Sequence, residues 1–181
     1  LIQAHRDVSE LVPFLHLPVQ SGSDNILRRM NRRHSRDDYL RIIEKLVKAR
    51  PGLKLSSDFI VGFPGESDKD FEATLELVHD VGFIQAFSFK YSPRPGTPGA
   101  SLVDRVPDDV QSDRLKALQA LLDKNQRAFN HSCIGTVMPV LLDRCGRKPG
   151  QLAGKTPYMQ AVHVTAPEIK LGDIVKLRIL E

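Results

Sequence analysis

Hydrophobic and polar positions follow two different periods in the first half of the chain. From residue 13 to about residue 91, short apolar runs alternate with amphipathic stretches, which is typical of repeated strand and helix units. The apolar runs predict strands at residues 14–19, 53–63 and 84–91. The intervening stretches have apolar residues at spacings of three and four, so the pattern predicts a parallel sheet with helices packed on it.

The predicted helices have clear start and stop signals. Ser35 with Asp38, and Ser67 with Asp70, have the spacing of a capping box, in which each side chain bonds to the other residue's backbone N–H. Gly82 follows the second of these helices and is a typical C-terminal stop. The sequence therefore predicts two helices of ordinary length, each beginning at one of these serines.

The pattern changes in the second half of the chain. Residues 92–99 are too rich in proline and glycine for regular structure and predict an ordered loop at the end of a strand. Residues 108–132 have one apolar face and predict a long helix. From residue 136 onward, short β-rich runs separated by glycines predict a small antiparallel barrel or sandwich. We therefore expect an α/β region at residues 1–132 and an all-β domain at residues 133–181.

Length and composition exclude several classes of protein. A chain of 181 residues allows one domain or two small ones and excludes a complete large barrel enzyme. No apolar run approaches the roughly 18 residues that a membrane span needs. Two cysteines, Cys133 and Cys145, are too few for a disulfide framework, and the histidines lack metal-ligand spacing. These features predict a cytoplasmic protein without a metal site of its own and without a membrane partner.

Positive charge is unevenly distributed along the chain. Residues 133–181 hold seven Lys or Arg against four Asp or Glu, so they carry +3 of the net charge of +4. A second concentration is a run of five arginines between Arg28 and Arg36. Such clusters attract phosphates or acidic partners, although a solvated helix face is an equally good explanation for one short arginine run.

Polar residues follow each predicted strand, at the edge of a parallel sheet where ligands bind. Gln20 and Ser21 follow the first strand, and their amide and hydroxyl groups suit carboxylate or phosphate oxygens, although a simple helix cap is the alternative. Asp58 interrupts the second strand, where a carboxylate is costly unless it has a partner. Gly62 and Gly65 allow a flat ligand to approach the backbone, or they belong to a structural turn.

The loop after the third strand contains Arg94 between two prolines. A stiff loop presents a guanidinium group with little loss of entropy on binding, so Arg94 is a candidate ligand contact. A rigid connector without a binding role is the alternative. The residues alone leave both explanations open.

Four blocks of sequence together resemble the radical SAM methylthiotransferases. Residues 15–24, 30–32, 58–66 and 91–98 have the order found in that family, and they are most similar to its tRNA-modifying branch. The β-rich end of the chain resembles the TRAM domain that ends these enzymes. The resemblance implies the C-terminal part of a radical SAM barrel, which is a partial TIM barrel, followed by a small all-β TRAM domain.

The family adds a methylthio group to C2 of N6-isopentenyladenosine immediately 3′ of the tRNA anticodon. It uses S-adenosylmethionine and two [4Fe-4S] clusters held by cysteines, one set in a Cys-x-x-x-Cys-x-x-Cys run. Neither set of cysteines is present here, so the resemblance implies a piece of a longer enzyme that is inactive alone. The alternatives are the sister branch that modifies a ribosomal protein aspartate, and a non-catalytic RNA-binding module.

The resemblance also implies roles for individual residues. We expect a monomer that binds the tRNA anticodon stem-loop. The residues expected to bind S-adenosylmethionine are Gln20, Ser21, Arg32, Asp58, Gly62 and Gly65. The residues expected to bind the substrate RNA are Tyr91 and Arg94 near the base, and Arg144, Arg147, Lys148 and Lys155 in the TRAM-like segment.

Overall fold

The computed structural model describes residues 1–166 and 168–180, which form two sheets joined by a long helix. No described helix is long and apolar enough to cross a membrane. The elements in chain order are α1 (Ile2–Asp7), β1 (Phe14–His16), α2 (Asp24–Arg29), α3 (Arg36–Ala49), β2 (Lys54–Val61), α4 (Asp68–Val81), β3 (Gln85–Lys90), α5 (Asp108–Cys133), β4 (Val137–Cys145), β5 (Gln151–Lys155), β6 (Ala161–Thr165) and β7 (Ile174–Arg178).

The first sheet is parallel, as predicted, with the strand order β1-β2-β3. Its helix-facing side is apolar and packs on α3, α4 and α5. Phe59 of β2 is fully buried there and meets the ring of Phe83 edge-on, with centroids 5.5 Å apart. Both predicted capping boxes are present, and Gly82 ends α4 in the left-handed conformation. Local sequence signals therefore set the helix boundaries in this region.

The first strand is shorter than its sequence pattern. Residues 14–19 predict a strand, but β1 ends at His16. Pro18 interrupts the ladder because it has no N–H to donate to a neighbouring strand. The Tyr39 hydroxyl of α3 instead donates to the Leu17 carbonyl at 2.7 Å. The pairing with β2 is therefore interrupted after Leu17 and resumes at Gln20, which forms a single parallel bridge with Phe59 before the chain turns into α2.

The other side of the parallel sheet carries no helix among the described residues. Strand residues alternate between faces, so His16, Asp58 and Ile60 share this side with Phe87 and Phe89. The two phenylalanines are 49% and 54% exposed. We call this surface the inner face, because it is the side that becomes the interior when such a sheet closes into a barrel.

The second sheet is antiparallel and has the order β6-β5-β4-β7. The sheet is antiparallel, as the predicted small barrel or sandwich requires, and it is curled, but β6 and β7 do not pair within the described ranges. The β-rich runs that the sequence predicts, residues 137–142, 160–165 and 174–180, also leave out β5, which contains Gly154. A Cβ at that position would collide with the backbone of Leu141 on β4, so glycine permits the two strands to pair closely.

The long helix α5 leads into the second sheet. Its last residue, Cys133, is buried rather than available at the surface. Near this end Phe129 meets Tyr158 edge-on at 5.1 Å, and the side chain of Gln160 donates to the Asn130 side-chain oxygen at 2.7 Å. Lys54 of β2 lies 5.6 Å from the Phe129 ring centroid. These contacts tie the C-terminal part of α5 to both sheets.

Candidate ligand cavity and basic hairpin

A cavity of about 710 Å³ lies at the carboxyl ends of β2 and β3. Its size falls within the range of small-molecule binding sites. The cavity wall brings together five residues that the sequence analysis selected in separate segments. They are Gln20, Arg32, Asp58, Tyr91 and Arg94.

Gln20 reaches the cavity through an unusual backbone conformation. Its φ is 80°, in the left-handed region that a residue with a side chain rarely adopts. The conformation is held from β2, because the Gln20 N–H donates to the Asp58 carbonyl and the Gln20 carbonyl accepts from the Ile60 N–H, both at 2.9 Å. Strained backbone of this kind is concentrated at functional sites.

Ser21 lies next to Gln20, but its side chain is buried within the turn and does not line the cavity. It is fully buried, and its hydroxyl accepts from the Ser23 N–H at 3.1 Å and lies 3.3 Å from the Thr74 hydroxyl. Ser21 is absent from the cavity wall. The geometry favours a role in shaping the turn, and its expected cofactor contact stays a prediction.

Asp70 connects this turn to α4. Ser23 caps α2, and its hydroxyl donates to Asp70, which also belongs to the capping box with Ser67. Burial raises the pKa of the Asp70 carboxyl, but the hydrogen bonds from Ser23 and Ser67 outweigh it and leave the pKa below its ordinary value. The carboxylate therefore stabilises the folded state whenever it is ionised.

We expect Asp70→Asn to lower the free energy of unfolding by about 1 kcal/mol near neutral pH, through the weakened caps. Because the pKa of Asp70 is lowered on folding, its contribution is present above the unfolded pKa and is lost as the pH falls through the folded pKa. The difference from the unchanged protein should therefore disappear well below pH 3.8, the ordinary value. Urea unfolding of both proteins, near neutral pH and well below pH 3.8, measures this difference in the free energy of unfolding. Asp37→Asn, at an exposed carboxylate in α3, is the control and should change stability less.

Gly62 and Gly65 lie in a turn and are covered by side chains of the protein itself. Both have positive φ, 73° and 80°, so side chains would be strained there. The Gln111 side chain covers Gly62, while Arg29 and Asp104 cover Gly65. Neither glycine is on the cavity wall. Their expected contact with adenine stays a prediction, and the turn explains why glycine occupies both positions.

The Gly62 turn is held by a buried ion pair that the sequence analysis did not identify. The Glu66 carboxylate accepts from the Gly62 N–H at 2.7 Å and from the Arg114 guanidinium at 2.8 Å. The Glu66 side chain is only 1% exposed. Burial raises the pKa of Glu66, and the bonds from Gly62 and Arg114 oppose this effect. The pair joins α5 to the end of β2.

Tyr91 and Arg94 lie on the side of the cavity formed by the proline-rich loop. The Tyr91 ring packs edge-on against Phe63 at 4.8 Å, and its hydroxyl has no hydrogen-bond partner within the described residues. The Thr97 N–H and hydroxyl donate to the Arg94 carbonyl at 3.2 and 2.8 Å, so the loop is ordered. Contrary to the sequence prediction, it is not wholly irregular, because a short 3-10 helix begins within it and spans Pro98–Ser101. Arg94 and Arg32 form no ion pair in the part of the chain that the structure describes. Two guanidinium groups thus remain available to anions.

Sequence reasoning missed Asn31 as a cavity residue. Asn31 follows α2, has a φ of 56° and lies on the wall beside Arg32. The sequence pattern predicts a short helix over residues 23–31, whereas α2 ends at Arg29. Asparagine tolerates the left-handed conformation better than most residues, so its place at the end of that pattern was an available signal. Arg29, also on the wall, pairs with Asp104 and is not free.

The four basic residues predicted to bind RNA share one hairpin. Arg144, Arg147 and Lys148 lie at its tip, where the Gln151 side chain accepts from the N–H groups of Arg147 and Lys148 at 3.1 and 3.4 Å. Lys155 is at the other end of β5. All four are exposed. We call them the basic hairpin residues.

The described residues contain no group of three or more His, Cys, Asp or Glu side chains arranged to hold a metal ion. Cys133 is buried and Cys145 is exposed. Iron–sulfur clusters are bound chiefly through cysteine thiolates. The described part of the chain therefore does not fit a cluster.

Comparison with known families gives two matches. Residues 2–78 match the model of the radical SAM superfamily, and residues 131–181 match the model of the TRAM domain. The chain combines a radical SAM region with a TRAM domain. Both the resemblance and the fold class predicted from sequence are confirmed. The radical SAM region contains Gln20, Arg32 and Asp58, and the TRAM domain contains all basic hairpin residues.

The chain is also similar to a curated relative. It is 56% identical over 179 residues to the tRNA-2-methylthio-N(6)-dimethylallyladenosine synthase of Agrobacterium fabrum. The alignment covers 99% of this chain and 39% of the relative. The chain therefore spans well under half the length of that relative, over both the radical SAM region and the TRAM domain.

Proposed function

We propose that this chain is part of a radical SAM methylthiotransferase that adds a methylthio group to C2 of N6-isopentenyladenosine immediately 3′ of the tRNA anticodon. The observation that carries the proposal is the 56% identity to a synthase of that modified nucleoside along nearly the whole chain. The cavity that gathers the cofactor and substrate candidates supports it. The activity requires the longer protein, and the chain alone is inactive.

S-adenosylmethionine fits the chemistry of the cavity. The Arg32 guanidinium pairs with its methionine carboxylate, while the Gln20 amide and the Asp58 carboxylate bind the ribose hydroxyls. Gly62 and Gly65 shape the turn after β2, and their contact with the adenine is part of this proposal. When bound, this cofactor supplies both the radical and the methyl group. Two [4Fe-4S] clusters are held by cysteines elsewhere in the longer protein, because the described residues offer no ligand set.

The substrate RNA occupies the remaining surfaces. Tyr91 and Arg94 line the cavity beside the cofactor candidates and contact the base, because an aromatic ring and a guanidinium suit a nucleotide. The basic hairpin residues contact phosphates of the anticodon stem-loop. The enzyme acts as a monomer in the cytoplasm, where tRNA is modified.

Nucleoside mass spectrometry tests the reaction. The full-length protein, expressed in cells that lack such an enzyme, should add a methylthio mass to isopentenyladenosine in tRNA, and cells with an empty vector should not show it. A methylthio group on a ribosomal protein aspartate instead would assign the chain to the sister branch. Retained tRNA binding without either product would indicate a non-catalytic RNA-binding module.

A further inference from the structure

Three polar side chains form a connected row on the inner face of the parallel sheet. Nδ1 of His16 lies 2.8 Å from the Ser56 hydroxyl oxygen, and its Nε2 lies 3.4 Å from Oδ2 of Asp58. Ser56 and Asp58 are two residues apart on β2, so both project to the side that carries His16 of the neighbouring strand. The row leads toward the cavity, whose wall includes Asp58.

The partners of His16 select one tautomer of its neutral ring. A carboxylate only accepts hydrogen bonds, so the nitrogen that faces Asp58 carries the proton. The other nitrogen, Nδ1, then accepts from the Ser56 hydroxyl. Ser56 is only 2% exposed, so this bond is not replaced by bulk water. In this tautomer Ser56 donates to His16, and the N–H of Nε2 lies on the side of Asp58, 3.4 Å from its carboxylate oxygen.

Phe87 limits the movement of the histidine ring. The two rings meet edge-on, with centroids 6.2 Å apart and planes at 71°. A ring held by a hydrogen bond on one side and an aromatic contact on the other keeps its donor in place. Oδ2 of Asp58 lies 3.4 Å from His16, whereas Oδ1 has no hydrogen-bond partner among the described residues, so Oδ1 is the oxygen available to a ligand.

We propose that His16 is a positioning residue for cofactor binding. It fixes Oδ2 of Asp58, so that Oδ1 is presented to the ribose hydroxyls of S-adenosylmethionine. Holding the carboxylate before the ligand arrives reduces the entropy lost on binding. The inference rests on the proposed binding of the ribose by Asp58, and it adds His16 and Ser56 to the site.

A binding experiment on the full-length protein tests this role without requiring turnover. Calorimetric titration with S-adenosylmethionine should give about tenfold weaker binding for His16→Ala, because the Asp58 carboxylate loses its close polar contact and is no longer oriented before the ligand binds. His16→Gln should recover most of the affinity, because its amide N–H can reach the position of Nε2. His79→Ala is the control at a histidine whose side chain is 82% exposed, and it should bind as the unchanged protein does.

The double variant separates positioning from general stability. If His16 acts through Asp58, then His16→Ala combined with Asp58→Ala should bind no more weakly than Asp58→Ala alone. Should His16→Ala fail to fold, Ser56→Ala tests the same row and should weaken binding by a smaller factor.

The two proposals fail in different ways. If Asp58→Ala leaves the affinity unchanged, the ribose assignment in the proposed function is wrong. If Asp58→Ala weakens binding but His16→Ala and Ser56→Ala do not, only the positioning role is wrong. Losses that simply add in the double variant would also overturn the positioning role.

Discussion

Replacing Arg114 with methionine is expected to lower the free energy of unfolding by about 3–5 kcal/mol, the usual cost of removing one partner of a buried ion pair. The guanidinium donates to the Glu66 carboxylate at 2.8 Å, to the Glu66 carbonyl at 3.0 Å and to Asp68 at 2.6 Å. Without it, a carboxylate with almost no access to water loses its charged partner. The Gly62 turn beside the cavity then loses its anchor to α5.

The pH dependence of this loss has a defined sign. Burial raises the pKa of Glu66 above its ordinary value, so the carboxyl takes up a proton more readily in the folded protein. The destabilisation caused by Arg114→Met should therefore shrink as the pH falls and Glu66 becomes neutral in both proteins. Urea unfolding of the full-length protein at several pH values measures this.

Two further variants show whether the buried charge is the cause. Lys116→Met removes an exposed partner of Asp113 on the same helix and should cost less than about 1 kcal/mol. Glu66→Met combined with Arg114→Met removes both buried charges and should be more stable than Arg114→Met alone. A loss below 1 kcal/mol for Arg114→Met would contradict the expectation.

The sequence predicted those features of the fold that depend on neighbouring residues. Ser35 and Ser67 begin helices because each bonds to an N–H three residues ahead, within a single turn. Gly82 ends α4 because the left-handed conformation suits glycine. The signal for β5 was weak, because glycine has a low strand propensity, and its close pairing with β4 emerges only in three dimensions.

The ion pair of Glu66 and Arg114 could not be predicted from the sequence, because it also forms only in the folded structure. Its partners are 48 residues apart, and nothing in either segment indicates that they meet. His16 and Ser56 are likewise adjacent only because β1 and β2 pair in one particular register. A pattern along one segment carries no information about such contacts.

The cavity was better predicted than the contacts around it. Gln20 and Arg94 were selected because each follows a strand, and parallel strands bring such positions to one edge. Asp58 was selected because a carboxylate within an apolar strand needs a partner. Arg32 and Tyr91 came only from the family resemblance. Gly62 and Gly65 were selected for access by a ligand, whereas the structure covers them with protein side chains.

Neutralising the four basic hairpin residues is expected to weaken tRNA binding by about 10- to 100-fold at low salt. Each exposed charge contributes modestly, roughly 0.2–1 kcal/mol, so the effect depends on all four acting together. Arg147 and Lys148 lie in a turn that Gln151 orders, so their positions are defined before RNA arrives. The proposed contact with phosphates therefore needs little rearrangement of the hairpin.

The salt dependence distinguishes phosphate contacts from a general loss of folding. Each contact to a single-stranded phosphate adds about −0.7 to the slope of log K against log salt concentration. The full-length protein with Arg144, Arg147, Lys148 and Lys155 changed to glutamine should therefore have a slope shallower by up to about 2.8. Changing Lys45, Lys69, Lys116 and Lys124, on helices of the other region, is the matched control and should leave the slope nearly unchanged. Equal slopes for the unchanged protein and the hairpin variant would rule out phosphate binding by the hairpin. A loss of affinity with an unchanged slope would instead indicate a folding defect, because no phosphate contact would have been removed.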